Sequence, residues 1–208
     1  AESINGYIIY PEEVFSTNNA FGKRISSNGY KKAPIIVKGE MVDDVGGGIC
    51  QVSSSLYMAA LYSELQIVER QNHSLKVGYA DYAYDATLVD GAIDLKIKNN
   101  TKFPVYIESS VINNKVIVNI YGNERRNSNI KLSFQNELVQ KINPPAPITK
   151  LDNTLAPGTS KEKSKETPGY KYVLYKIVTE DGKQVSKEIV NTSYYKPKGR
   201  ITLIGPAI

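Results

Sequence analysis

The chain has no tryptophan, one cysteine and one histidine among its 208 residues. A lone cysteine excludes a disulfide within the chain. Cys50 and His73 together cannot supply the roughly four ligands of a Cys/His zinc site. No apolar run approaches the roughly 18 residues that a membrane span needs. No secretory signal peptide is read at Ala1, and the chain opens without methionine, which reads as an excised or processed segment. Charged residues make up 23% and hydrophobic residues 41%, a balance that excludes general disorder. The length allows one large domain or two small ones.

Charge is unevenly spread. Residues 1–126 carry 13 basic and 14 acidic side chains, a net of −1, whereas residues 127–208 carry 13 basic and 7 acidic, a net of +6. The basic excess of the second part favours an anionic polymer or surface as its neighbour through long-range attraction, and serves solubility equally well.

Local patterns divide the chain at the same place. Ile8-Ile9-Tyr10 and Ala33-Pro34-Ile35-Ile36-Val37 read as strands. After Gly46-Gly47-Gly48, the residues Val52, Leu56, Ala59, Ala60 and Leu65 recur at roughly helical spacing, which predicts a helix from about Cys50 to Leu65. Residues 93–122 read as an antiparallel meander, with Asn113-Asn114 as a hairpin turn. Beyond residue 126 no helix is expected. Pro144-Pro145-Ala146-Pro147 is extended, Pro157-Gly158 and Pro168-Gly169 are turns, and Ser160 to Glu166 is an exposed polar stretch. Tyr170 to Thr179 and Lys183 to Asn191 form a hairpin around Asp181-Gly182, followed by a last strand at Ile201 to Ile204. The expected fold is α+β, with a cysteine at the N-terminus of a helix packed on an antiparallel sheet, followed by a small all-β module. The expected boundaries are 1–126 and 127–208.

The chemistry concentrates at Cys50 and His73. A thiol that follows three glycines and opens a helix sits among first-turn N–H groups that lack partners and carry partial positive charge. That setting lowers a thiol's pKa, and the same N–H groups suit a developing oxyanion. Gly47 and Gly48 leave room for a substrate, and Gln51 adds an amide donor. A helix and a turn after Cys50 return the chain to His73, on an expected strand from Asn72 to Val77. The pair fits a nucleophile–base arrangement. A third group usually orients the imidazole. Asp85 and Asp94 are the acidic candidates, with Asp85 placed in the catalytic set. Against this stands the plainer reading of a packed cysteine and a satisfied histidine.

The segment Gly46-Gly47-Gly48-Ile49-Cys50-Gln51-Val52-Ser53-Ser54-Ser55-Leu56-Tyr57 resembles the signature of the VanW domain family. The resemblance extends through Ile67-Val68-Glu69-Arg70, Asn72-His73-Ser74, Asp85-Ala86-Thr87 and Phe103-Pro104-Val105-Tyr106-Ile107. Upstream it includes Gly22, Arg24, Gly29-Tyr30 and Ala33 to Val37, so that it covers about residues 10–122. Two departures stand out. Gln71 occupies a position where the family commonly has histidine, and Phe15-Ser16-Thr17-Asn18 replaces Phe-Ser-Phe-Asn. The first leaves His73 as the only imidazole base.

From about Lys131 to Gly205 the chain resembles a five-glycine (G-five) domain of bacterial surface and cell-wall proteins. This second resemblance rests on Pro157-Gly158-Thr159, Pro168-Gly169-Tyr170, Gly182-Lys183 and Tyr194-Tyr195-Lys196-Pro197.

The first resemblance implies a peptidoglycan L,D-transpeptidase with Cys50 as nucleophile, working through a thioester and needing no cofactor, neither ATP nor metal. It implies tetrapeptide stems as donor and acceptor. Arg24 is a candidate for a substrate carboxylate. The basic C-terminal module suits anionic wall polymers, and nucleic acid is not among the expected partners. The expected location is extracytoplasmic, in the cell wall or on a membrane anchor of the full-length protein. A cysteine peptidase or amidase (an L,D-carboxypeptidase) on the same stems and a non-catalytic cell-wall-binding protein are the alternatives.

Overall fold

The structure, a computed structural model, describes residues 1–37 and 40–207. In chain order the first part contains β1 (Tyr7–Ile9), β2 (Val14–Ser16), α1 (Thr17–Phe21), β3 (Lys32–Val37), β4 (Glu40–Val45), α2 (Ile49–Tyr62), β5 (Gln66–Glu69), β6 (Lys96–Lys98), β7 (Val105–Ile112) and β8 (Lys115–Tyr121). The second part contains β9 (Ile130–Ile142), β10 (Ile148–Leu151), β11 (Ser160–Ser164), β12 (Gly169–Glu180), β13 (Lys183–Tyr195) and β14 (Ile201–Ile204). The described chain is therefore mostly β, with few helices and a C-terminal β module.

Helix α2 forms because Ile49, Val52, Leu56, Tyr57, Ala60 and Leu61 recur on one face, and all of them are buried. It lies against β8 and β5. Its end comes earlier than the apolar spacing predicts. Glu64 adopts φ 54°, its N–H reaches Leu61 O, and Leu65 N–H reaches Ala60 O. That is a Schellman ending, with buried Leu65 supplying the usual apolar contact. The motif normally uses glycine, so the spacing ran on past it.

The region 93–122 is not one meander. β6 pairs with β2 and β5, whereas β7 pairs with β1 and β8 in a different sheet. The β7–β8 turn is a tight two-residue one, with Asn113 at φ 50° and Asn114 at φ 61°. In the second part β12 lies between β13 and β9 in an antiparallel sheet, and β14 lies between β10 and β11.

Three further expectations are corrected. Pro168-Gly169 is not a turn: Gly169 begins β12, and a Cβ there would lie 2.6 Å from Pro197 Cδ and 2.8 Å from Tyr195 O. The polar stretch Ser160–Ser164 is exposed as expected over its first four residues, but it forms strand β11, paired with β14. Residues 72–77 form no strand.

One hydrophobic cluster joins both parts of the chain. Ile4, Ile9, Phe15, Leu56, Leu95, Ile97 and Ile107 are buried in it together with Leu174 of β12. Phe134, Tyr172 and Val190 of the second part pack against the same cluster. The C-terminal sheet is thus seated on the first part near α2 rather than tethered to it.

Candidate active site

Cys50 is the second residue of α2 and is partly buried. Gly46 to Gly48 form the turn that leads into the helix. Gly48 is the N-cap and offers no side-chain cap to the first turn. Gly46 is the glycine this turn requires, with φ +93° and an added Cβ only 2.8 Å from Ile49 Cδ1. Ile49 is itself buried, so it has little room to yield. Gly46→Ala is expected to cost about 1–3 kcal/mol and to displace the first turn of α2. A thermal melt and the alkylation rate of Cys50 check this, and both are expected to fall.

The segment after Asp85 closes over the thiol. Leu88 N–H donates to Cys50 Sγ at 3.4 Å, and Thr87 Oγ1 lies 3.9 Å away. The serine run explains why that segment sits there. Ser53 Oγ donates to Ala86 O at 2.5 Å, and Ala86 N–H donates to Ser54 Oγ at 3.0 Å. Ser53 and Ser54 are buried, and their hydroxyls bind residues 85–88 to the helix start instead of acting as nucleophiles.

His73 reaches the site from an irregular segment held at several points. Its own N–H donates to Asp85 Oδ2 at 2.6 Å, and its Nδ1 lies 2.6 Å from the same oxygen. Nδ1 therefore carries a proton toward Asp85, which leaves Nε2 for Cys50 and for Tyr79, whose hydroxyl lies 3.1 Å away. Asn72 Nδ2 donates to His73 O and to Tyr194 O. Asp85 is completely buried, and Arg70 Nη2 stands 3.4 Å from its Oδ1.

These contacts set the protonation states. Burial pushes the Cys50 thiol up, but hydrogen bonds from His73 and Leu88, the imidazolium charge and Thr87 together hold it below its ordinary value. Burial pulls His73 down, but the Asp85 hydrogen bond and the neighbouring thiolate push it up to about 9. Asp85 stays ionised: burial opposes this, and the His73, Tyr195 and Arg70 contacts override it. The arrangement sets a thiol of lowered pKa beside an imidazole of raised pKa, with the Asp85 carboxylate behind the imidazole. Iodoacetamide is accordingly expected to alkylate Cys50 with a midpoint below that of an ordinary thiol, with a second rise in rate near pH 9 as His73 loses its proton. A single step at or above an ordinary thiol pKa of about 8.5 would contradict the pair.

The structure gathers Cys50, His73 and Asp85 and leaves Asp94 elsewhere. Asp94 accepts from Ser16 Oγ at 2.6 Å and from Asn18 N–H at 2.9 Å, so it ties α1 to β6. Gly47 and Gly48 lie in the turn before Cys50, and Gln51 follows it, half-buried. Arg24 Nη2 donates to Asn18 Oδ1, while its buried Nε has no hydrogen-bond partner. A polar cleft of about 740 Å³ runs along Ser16, Asn18, Lys23, Glu69, Asp90 and Asp94. None of its lining residues is Cys50, His73 or Asp85, so it does not mark the reacting centre. Sequence reasoning assigned no role to Arg70, Tyr79 or Tyr195. Arg70 lies in the quoted Ile67 to Arg70 segment, which was the available signal. Tyr195 lies in the quoted Tyr194 to Pro197 segment of the second resemblance, which does not point to Cys50, and Tyr79 carries no signal that sets it apart from the other tyrosines of the chain.

Residues 1–121 match the family described as VanW like protein, and residues 135–207 match the G5 domain. Among curated relatives, the chain is 40% identical over 131 residues to "Uncharacterized protein YoaR" of Bacillus subtilis (strain 168), covering 63% of this chain and 43% of the relative. It is 28% identical over 138 residues to "Vancomycin B-type resistance protein VanW" of Enterococcus faecalis (strain ATCC 700802 / V583), covering 64% and 50%. The chain thus spans half or less of the length of these relatives. Among solved structures, "IgA1 Protease G5 domain structure" aligns with 29% identity over 38% of this chain and 94% of that one, at a TM-score of 0.26. "Crystal structure of HP0197-G5" aligns with 21% identity over 36% and 99%, at 0.19. On the extent of the first match, the chain belongs to the VanW-like family, with a G5 domain following.

Proposed function

We propose that this protein is a cell-wall peptidoglycan L,D-transpeptidase that joins stem peptides through a thioester on Cys50. The observation that carries the reading is the grouping of Cys50, His73 and Asp85, with His73 Nδ1 2.6 Å from Asp85 Oδ2 and the thiol's pKa lowered by its imidazole partner. Membership of the VanW-like family and the adjoining G5 domain support a cell-wall setting. Among the described residues no helix is long and apolar enough to cross a membrane.

In the proposed reaction the Cys50 thiolate attacks the carbonyl carbon of the third residue of a tetrapeptide stem, meso-diaminopimelate in our reading. The carbonyl oxygen becomes an oxyanion, which in this reading is received by first-turn N–H groups of α2 and the Gln51 amide. The carbon–nitrogen bond to the terminal D-alanine then breaks, and its amine takes the proton from His73 Nε2. A thioester remains on Cys50. The side-chain amine of a second stem attacks that thioester and gives its surplus proton to His73, and the Cys50 thiolate is released as the cross-link forms. In this reading Gly47 and Gly48 are the side on which the substrate approaches the thiol. Arg24 is assigned to a substrate carboxylate, which would satisfy its unpartnered Nε.

The test is product analysis with disaccharide-tetrapeptide fragments, using the protein and its Cys50→Ala variant. Released D-alanine with cross-linked dimers, from the Cys50 form only, is the expected result. Tripeptide without dimers would replace transpeptidation by hydrolysis. No product from folded protein would move the reading to a wall-binding module.

A further inference from the structure

The second part of the chain reaches into the array around Cys50. Tyr195, near the end of β13, is 2% exposed, and its hydroxyl lies between two groups of the first part. It donates to Asp85 Oδ1 at 2.6 Å and accepts Ala83 N–H at 2.7 Å. Ala83 is fully buried with φ 69°, a left-handed conformation that an alanine holds only when its surroundings fix it. Those surroundings are again C-terminal: Asn191 Nδ2 donates to Ala83 O at 3.1 Å and to Tyr57 Oη at 2.8 Å. Ser193 Oγ accepts from Arg70 Nη1 at 2.8 Å, on the far side of the guanidinium that faces Asp85. Lys196 N–H donates to Ser74 O at 2.8 Å, one residue beyond His73.

We propose that the C-terminal module is a structural component of the active site, with Tyr195 as a positioning residue that acts on His73 through Asp85. The inference rests on the reading of Cys50 as the nucleophile. A carboxylate has two oxygens. Asp85 Oδ2 serves both the backbone and the ring of His73, and Oδ1 is held by Tyr195 with Arg70 farther off. Without the Tyr195 hydroxyl, Oδ1 is buried with only the long Arg70 contact. The carboxylate then turns toward the remaining donors, Arg70 Nη2 and the freed Ala83 N–H, and draws Oδ2 away from Nδ1. His73 loses part of its support for the imidazolium, and the thiolate loses its partner. Cys50, Asp85, Arg70, Tyr79 and Tyr195 are the titratable or charged groups bearing on His73 here. The module does more in this account than hold the protein to the wall, since the site is complete only with β13 seated.

The experiment measures the pH profile of Cys50 alkylation in the full chain for Tyr195→Phe, Ser193→Ala and Lys176→Ala. Lys176 pairs with Glu64 at 2.6 Å across the same contact between the two parts, away from Asp85, and serves as the interface control. Tyr195→Phe keeps the ring. It is expected to raise the midpoint by about half to one pH unit, a roughly 3–10-fold slower reaction at pH values below that midpoint. Ser193→Ala is expected to give a smaller shift in the same direction and covers the case in which Tyr195→Phe fails to fold. Lys176→Ala is expected to leave the midpoint in place. A reactive wild-type thiol with unchanged midpoints in Tyr195→Phe and Ser193→Ala overturns the proposal and spares the nucleophile reading. An unreactive wild-type thiol removes the nucleophile reading itself, and this inference with it.

Discussion

His73→Ala is expected to slow acylation of Cys50 by about 10²–10⁴-fold, the usual range for a lost general acid–base. Two effects combine. The amine of D-alanine loses the proton donor that lets it leave. The thiol also loses the imidazolium that opposes its burial. Burial is the largest influence on Cys50 and pushes it up, so the thiol is expected to stay protonated at neutral pH in the variant. Single-turnover acylation and the alkylation midpoint measure these separately. The rate should fall, and the midpoint should move above its wild-type position. Unchanged values for both would remove His73 from the mechanism. Folding should survive, because residues 72–74 keep the Asp85 contact to the backbone of residue 73 and the Asn72 and Lys196 hydrogen bonds.

Asp85→Asn is expected to damage stability and activity together. The side chain is fully buried and receives His73 N–H, Tyr195 Oη and Arg70, besides facing His73 Nδ1. Arg70 is itself only 6% exposed, so a neutral asparagine leaves a buried guanidinium without its counter-charge. Breaking a buried pair from one side costs about 3–5 kcal/mol, which for a chain of this size lowers Tm by roughly 6–20 °C.

The pH dependence follows from the depressed carboxyl. Asp85 is held below its ordinary 3.8 despite burial, so its contribution is present above that value and is lost as pH falls through the native pKa. The Tm difference between wild type and variant should therefore be wide near neutral pH and narrow below about pH 4. On the activity side, the asparagine no longer offsets the burial that lowers His73. Its pKa should drop from about 9, and the alkylation midpoint of Cys50 should rise. A variant with wild-type Tm and wild-type alkylation would show that the Asp85 network carries neither role.

What the sequence made legible was the local chemistry. Three glycines before an apolar helical repeat placed Cys50 at a helix start, and the turn geometry at Gly46 gives the reason. Asp181-Gly182 located the β12–β13 turn, where both residues have positive φ. Long-range pairing was not legible. Nothing local in Leu95-Lys96-Ile97 says that this strand joins β2 and β5 instead of β7. The run Ile130, Leu132, Phe134 does alternate, and β9 was open to detection there; its continuation through Asn136-Glu137-Leu138-Val139 breaks the pattern. β11 is polar throughout, so its pairing with β14 left no hydrophobic signal. The same limit governs the site. Cys50 and His73 were accessible through residue type and spacing, whereas nothing local separates Asp85 from Asp94 as the acidic partner. Tyr195 lies 110 residues from Asp85, and only the seating of the second part reveals it.

The most direct measurement is the intact mass of the protein after acid quenching of a reaction with disaccharide-tetrapeptide, followed by peptide mapping of the adduct. The account predicts a mass increase equal to the donor without its terminal D-alanine, located on Cys50 and absent from Cys50→Ala. Donor turnover by folded protein with no adduct on Cys50, or equal turnover by Cys50→Ala, would contradict it.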